Sequence, residues 1–179
     1  TEESANTLYN LGAAYQAVGR VTEADRSWRT AASHYRAVGA LQDQFETLLD
    51  VVINRGEMGS AEDVEVAMEF ALGAVEGHEA YRECRAMALD AVGVARARVG
   101  RIDEAKQALD EALQIWIDLG DRLREGQTRY NMAIPHLAAG DVEAALSCLE
   151  EARAIALELG DTESVVAIDQ QKSQIERMR

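Results

Sequence analysis

Four glycines recur at a nearly constant interval, and this repeat restricts the chain to a stack of similar units. Gly19, Gly59, Gly100 and Gly140 lie 40, 41 and 40 residues apart. Each is followed nine residues later by a large apolar residue and twelve residues later by an alanine: Trp28, Met68, Leu109 and Leu149, and Ala31, Ala71, Ala112 and Ala152. A period of about 20 to 50 residues is typical of repeat architectures, so we predict four stacked units.

Each unit has the pattern of two amphipathic helices. In the first half, Leu8, Leu11 and Gly12 follow the i, i+3, i+4 spacing of a buried helical stripe. In the second half, Ala24 and Trp28 begin a similar stripe. The column glycine lies between the halves, where glycine can adopt the positive φ that ends a helix. We therefore predict a helical hairpin in every unit.

Composition supports an all-helical chain and excludes some partners. Only one proline and 5 % aromatic residues occur among 179 residues, which disfavours a sheet-rich fold. The net charge of −14 disfavours binding to nucleic acid or to an anionic membrane. No apolar run approaches the roughly 18 residues of a membrane span. The two cysteines, Cys84 and Cys148, do not form a disulfide framework, so we expect a cytoplasmic location.

A second short motif recurs at the boundaries between units. Gly120-Asp121 and Gly160-Asp161 have the pattern of a helix-ending glycine followed by an N-cap aspartate. After the last pair we predict a capping helix over 161–179, with Val165, Val166 and Ile168 facing inward. Because Thr1 opens almost directly into a core helix, we expect the chain to be a piece of a longer protein. The predicted units are about 5–40, 41–80, 81–120 and 121–160.

The repeat columns resemble a known signature. The first unit resembles the signature of the tetratricopeptide repeat. The residues that carry this resemblance are Asn10, Leu11, Gly12, Tyr15, Gly19, Ala24, Trp28 and Ala31. The 40-residue spacing with Leu-Gly-Asp linkers is similar to a longer variant found in spindle-orientation adaptors, kinesin light chains and bacterial maltose-activator-type or antibiotic-regulatory proteins. The resemblance implies one all-α domain over 1–179, a right-handed α-solenoid of four hairpins with a C-terminal capping helix.

The same resemblance implies a protein- or peptide-binding groove lined by the first helix of each unit. Exposed amides can bond a partner's main chain, and tyrosine rings supply contact area. Asn10 and Asn131 occupy the position at which the family has an asparagine that hydrogen-bonds the backbone of the bound peptide. The groove residues mapped onto this sequence are Asn6, Tyr9, Asn10, Glu46, Leu49, Asp50, Met87, Asp90, Gln127, Tyr130 and Asn131.

The second unit carries most of the negative charge. Residues 41–80 contain ten acids and the single base Arg55, which gives a net charge of −9. Glu46 and Asp50 belong to the mapped groove, so this part would favour a basic segment of a partner. The alternative is that these acidic side chains lie on the outer face of a helix, where they are simply solvated by water.

No residue constellation predicts an enzyme. His34, His78 and His136 lie in different units, without a zinc-protease, CxxC or phosphate-loop motif. We therefore expect a non-enzymatic module without metal or cofactor, serving as the interaction part of a bacterial regulatory protein. Two other functions remain open at this point, namely self-association and small-molecule sensing by a regulator.

Overall fold

Helices account for nearly all of the described chain. The computed structural model describes residues 1–57 and 81–177, and these two ranges contain no strand. None of their helices is long and apolar enough to cross a membrane. Gly59, Met68 and Ala71, which belong to the predicted second half of the second unit, lie outside the described residues. The helices are α1 (Glu2–Ala17), α2 (Val21–Val38), α3 (Leu41–Glu57), α4 (Tyr81–Arg98), α5 (Ile102–Leu119), α6 (Arg122–Ala138), α7 (Val142–Leu159) and α8 (Thr162–Arg177).

The helices pack as a one-dimensional stack of hairpins. The most extensive contacts join α1 to α2, α4 to α5 and α6 to α7, which are the two halves of the predicted units. Each hairpin then contacts the next helix in sequence, and α4 also packs directly against α6. Contacts limited to neighbouring units are typical of a helical solenoid. The predicted all-α repeat fold is therefore confirmed.

The repeat columns form the core. Trp28, Leu109 and Leu149 are almost completely buried, and so are the alanines that follow them three residues later. Small residues on the facing helices make this approach possible. A Cβ added to Gly93 would lie 2.5 Å from Leu109 Cγ, and a Cβ added to Gly12 would lie 2.5 Å from Trp28 Nε1. These helix pairs therefore pack at the near end of the usual interaxial range.

The Gly-Asp pairs end one helix and begin the next, as predicted. Gly120 and Gly160 both have a φ of 72°, the left-handed conformation typical of a helix C-terminus. The side chain of Asp121 accepts a hydrogen bond from the Arg124 amide at 2.9 Å. Asp161 accepts one from the Ser164 amide at 3.0 Å. Each aspartate thus satisfies an otherwise unpaired amide of the following helix.

Two apolar residues predicted to face inward are exposed instead. Leu11 is 41 % exposed, whereas Val51 and Val92 in the same column are buried, because among the described helices α1 packs mainly on α2. Val166 is 55 % exposed. Helix positions three apart share a face, so Val165 and Ile168 turn toward α7 while Val166 points away.

Candidate functional site

The predicted groove residues lie on the first helices of the units, with differing exposure. They occupy equivalent rows on α1, α3, α4 and α6. Asn6, Asn10, Glu46 and Gln127 are exposed. The remaining members, which are Tyr9, Leu49, Asp50, Met87, Asp90, Tyr130 and Asn131, are half-buried. The half-buried side chains therefore take part in packing between helices as well as presenting a surface.

Hydrogen bonds between neighbouring helices organise the N-terminal end of the row. The Tyr9 hydroxyl bonds the Asp50 carboxylate, which links α1 to α3. Burial, this hydrogen bond and the nearby charge of Glu46 raise the pKa of Tyr9 to about 12. Burial also raises the pKa of Asp50. Asn6 accepts a hydrogen bond from the Tyr35 hydroxyl of α2. This end of the row is consequently rich in negative charge and in fixed hydroxyl groups.

Leu49 and Met87 form the apolar middle of the row. Both pack against a core cluster between α2, α3 and α4 that includes Phe45, Leu48 and Cys84. Because each is only half-buried, part of its side chain remains accessible. This stretch can contribute apolar contact area to a bound segment.

Asp90 is held between three helices. Its Oδ2 accepts hydrogen bonds from Trp116 Nε1 of α5 at 3.1 Å and from Thr128 Oγ1 of α6 at 2.8 Å. Burial raises the pKa of this carboxyl group, while these hydrogen bonds and one from the Asn131 amide oppose the rise. Sequence reasoning missed Trp116 and Thr128 as its partners. One signal was available, since Asp90 is the acid in a column otherwise formed by Tyr9, Leu49 and Tyr130.

A pocket of about 370 Å³ lies between α6, α7 and α8. Three predicted groove residues line it, namely Gln127, Tyr130 and Asn131 of α6. Apolar side chains from α7 form much of the remaining wall, and α8 closes the opposite side. The lining residues that sequence reasoning missed are Leu123, Gly126, Ala152, Ile155, Ala156, Leu159, Asp161, Ser164, Ala167 and Ile168.

The charged groups near the pocket are largely engaged with one another. Arg122 pairs with Glu125 of its own helix and with Glu158 of α7. Arg129 pairs with Glu125 and with Glu151. Hydrogen bonds from Ser164 lower the pKa of Asp161. The pocket thus combines an apolar wall with a few polar groups, the usual composition of a binding site.

Comparison with known families agrees with this architecture. Residues 84–158 match the family model of the tetratricopeptide repeat, from within α4 to near the end of α7. The match supports a relationship to tetratricopeptide-repeat proteins, whose repeats generally mediate protein–protein interaction. The chain has no significant match among curated proteins.

Proposed function

We propose that this chain, with its tetratricopeptide-type repeats, is a protein- or peptide-binding module whose main contact site is the pocket between α6, α7 and α8. The observation that carries the proposal is a coincidence of two independent features. Gln127, Tyr130 and Asn131 were mapped to a groove from the sequence, and the same three side chains line an apolar pocket of about 370 Å³. Ligand sites are generally concave, mainly apolar and supplied with a few directed polar groups.

The chemistry of the pocket suits a segment with one large apolar side chain. Ala152, Ile155 and Ala156 offer an apolar wall into which such a side chain can be inserted. Leu123 and Leu159, both exposed in the free protein, would lose accessible surface when a partner covers them. The neighbouring amides and the Tyr130 hydroxyl can bond the partner's main chain. An apolar anchor surrounded by polar contacts is the usual anatomy of a binding hot spot.

We further propose that the α1–α3 end of the row receives a basic part of the partner. Glu46 and Asp50 lie beside Tyr9, and the charges of Asp43 and Glu46 also raise the pKa of Tyr35 after the larger effect of burial. A positive segment would be attracted to this end and would associate faster at low salt. In this arrangement Asn6, Asn10, Leu49 and Met87 contact the part of the segment that leads to the pocket.

A peptide-display selection tests the proposed site. Random peptides would be selected on the wild-type protein and counter-selected on Ala167→Trp, in which an indole fills the pocket from the exposed Ala167 of α8. Ala154→Trp is the matched control, because Ala154 is exposed on α7 outside the pocket lining. We expect peptides that bind wild type and Ala154→Trp but not Ala167→Trp. Enriched peptides that bind all three proteins equally would contradict the site.

Self-association is a second candidate, supported by the exposed face of α1. Leu11 of α1 and Val18, which directly follows this helix, are both exposed, although Val51 and Val92 in the column of Leu11 are buried. Stacking of two copies through α1 would cover these side chains. Light scattering across a concentration series would then show dimers, and Leu11→Lys would abolish them. A monomer at every concentration would exclude this candidate.

A small-molecule ligand is a third candidate, supported by the pocket volume. About 370 Å³ lies within the range of roughly 300–1,000 Å³ that is typical of small-molecule sites. A metabolite that raises the melting temperature of wild type but not of Ala167→Trp would favour this function. Whether the ligand is a protein segment or a small molecule, we propose that the module is the interaction or sensing part of a bacterial regulatory protein in the cytoplasm. The sequence flanking this segment in the intact gene tests that context.

A further inference from the structure

One column of the repeat is filled differently from unit to unit. The residue that lies fourteen positions before the column glycine is Phe45 in the second unit, Ala86 in the third and Gly126 in the fourth. Phe45 and Ala86 are completely buried. Gly126 has no side chain, and it lines the pocket between α6, α7 and α8. The fourth unit therefore lacks a side chain at the position where the second unit buries a phenyl ring.

The neighbours of Phe45 correspond to residues that line the pocket. Phe45 belongs to a buried core cluster with Cys84 and Ala88 of α4, the next first helix. The residues 80 positions after Cys84 and Ala88, two repeat lengths further on, are Ser164 and Ile168 of α8. Ser164 and Ile168 line the pocket together with Gly126. The pocket therefore lies at the place in the fourth unit that Phe45 fills in the second.

The pocket is large enough for the missing ring. α3 packs directly against α4, whereas α8 packs mainly on α7 among the described helices. A space of about 370 Å³ is left between α6 and α8. A cavity of about 150 Å³ lined by leucine, isoleucine and phenylalanine side chains binds benzene. The pocket can thus hold a phenyl ring together with part of the chain that carries it.

The lining favours a neutral aromatic group. Of the described residues that line the pocket, Asp161 is the only one with a charge at neutral pH. Its two carboxylate oxygens accept hydrogen bonds from the Ser164 amide at 3.0 Å and from the Ser164 hydroxyl at 2.6 Å. The carboxylate is therefore already engaged within α8. Tyr130 also lines the pocket, and two aromatic rings attract each other beyond the effect of the area they bury.

We propose that the pocket receives a phenyl ring from a side chain of the partner, which takes beside Gly126 the place that Phe45 fills in the second unit. This inference rests on the proposed binding function and specifies that the apolar anchor of the partner segment is phenylalanine. Tyr130 then distinguishes this ring from a branched aliphatic side chain, because only the ring gains the aromatic contact.

A variant that supplies its own ring tests the fit without any ligand. In Gly126→Phe the new ring should enter the pocket. The matched control is Gly126→Ala, which adds the same Cβ, 3.0 Å from Ile155 Cγ2, without the ring. We expect Gly126→Phe to melt roughly 3 °C or more above Gly126→Ala, because the ring is buried in existing space. A melting temperature of Gly126→Phe at or below that of Gly126→Ala would overturn the inference.

Binding of small probes tests the preference for a ring. The probes are acetyl-phenylalanine N-methylamide and acetyl-leucine N-methylamide, titrated while the backbone amide signal of Gly126 is followed by nuclear magnetic resonance. Wild type should bind the phenylalanine probe roughly fivefold more tightly than the leucine probe, as expected for one aromatic pair. This preference should largely disappear in Tyr130→Leu. Gly126→Ala should bind the phenylalanine probe, whereas Gly126→Phe should bind neither probe.

The outcomes separate this inference from the proposed function. Equal affinity of wild type for the two probes would overturn the inference while leaving the pocket as a binding site. If neither probe shifts the Gly126 signal and the display selection yields no pocket-dependent peptide, the proposed function fails as well. Pocket-dependent peptides without an aromatic residue, despite binding of the phenylalanine probe, would assign the space to a free aromatic molecule and contradict the side-chain anchor.

Discussion

At the scale of single residues, close helix packing depends on the absence of a Cβ at a few positions. Gly93 of α4 faces Leu109 of α5, and a Cβ there would lie 2.5 Å from Leu109 Cγ and 3.2 Å from the Ala105 carbonyl oxygen. A leucine side chain can rotate, but a backbone carbonyl within a helix cannot. The fixed carbonyl is therefore what makes glycine necessary at this position.

Gly93→Ala should lower the stability of the chain. Overpacking lowers the free energy of unfolding by about 1–3 kcal/mol. Replacing a glycine within a helix by alanine raises it by up to about 1 kcal/mol, so the net effect is destabilising. Urea unfolding monitored by circular dichroism measures it. Gly126→Ala is the matched control, because its Cβ would meet only Ile155 side-chain atoms, the nearest at 3.0 Å. Equal stability of Gly93→Ala and wild type would show that α4 and α5 are farther apart than described.

Glu125 predicts a pH dependence of stability. Burial raises its pKa, but hydrogen bonds and charges from Arg122 and Arg129 outweigh burial and lower it overall. A carboxyl group with a lowered folded-state pKa stabilises the fold above its unfolded pKa of about 4.3, and this stabilisation is lost as pH falls through the folded value.

Glu125→Gln should accordingly destabilise the chain at pH 7 by about 1.5–3 kcal/mol, the contribution of a hydrogen bond to a charged group. The difference from wild type should shrink below about pH 4.3 and vanish at lower pH. Unfolding curves at several pH values measure it, with the exposed Glu176→Gln as control. A difference independent of pH would mean that the ion pairs of Glu125 do not form.

At the scale of helices, side-chain N-caps distinguish α6, α7 and α8 from α2 and α5. Asp121, Asp141 and Asp161 each accept a hydrogen bond from an amide in the first turn of the following helix. Arg20 and Arg101 occupy the N-cap positions of α2 and α5 and provide no such side-chain bond. The helices after position 121 therefore begin with a local stabilising contact that α2 and α5 lack.

Asp121→Ala should cost about 1 kcal/mol, because it leaves the Arg124 amide without its side-chain acceptor. Thermal unfolding measures the loss, and backbone hydrogen exchange in the first turn of α6 should become faster. Asp110→Ala removes an exposed aspartate from the middle of α5 and should leave both measurements nearly unchanged. If the two variants behave alike, capping by Asp121 contributes nothing to stability.

The helices were predictable from the sequence because every unit repeats the same local pattern. Column spacing alone predicted the buried positions of Trp28, Leu109 and Leu149. The site was predictable only where it follows the same period, as at Gln127, Tyr130 and Asn131. The contribution of α8 has no counterpart in the columns, so the roles of Asp161 and Ala167 in the pocket lining could not be derived from them.

At the scale of the whole molecule, charge is distributed unevenly along the stack. The net charge is −14, of which residues 41–80 contribute −9. Part of this acidic unit lies outside the described residues, but Glu46 and Asp50 lie in the row that leads from α1 to α4. Long-range attraction of a basic partner to this end is the expected consequence.

Binding of a basic peptide from the display selection should weaken as salt rises, mainly through slower association. The double variant Glu46→Gln/Asp50→Asn should flatten this dependence, because it removes the two carboxylates whose charges act on Tyr9. Stopped-flow association at several salt concentrations measures the slope. Asp103→Asn/Asp110→Asn removes the same charge from exposed sites on α5 and should keep the wild-type slope. An unchanged slope in the groove variant would mean that Glu46 and Asp50 are simply hydrated and do not attract the partner.

The central claim is that the pocket between α6, α7 and α8 binds a segment of a partner protein. Isothermal titration of one selected peptide against wild type, Ala167→Trp and Ala154→Trp tests it most directly. We predict that filling the pocket in Ala167→Trp weakens binding by more than about tenfold, a loss of about 1.4 kcal/mol. Ala154→Trp should bind like wild type, and both variants should melt like wild type because both alanines are exposed. Equal affinity of a folded Ala167→Trp and wild type would contradict the claim.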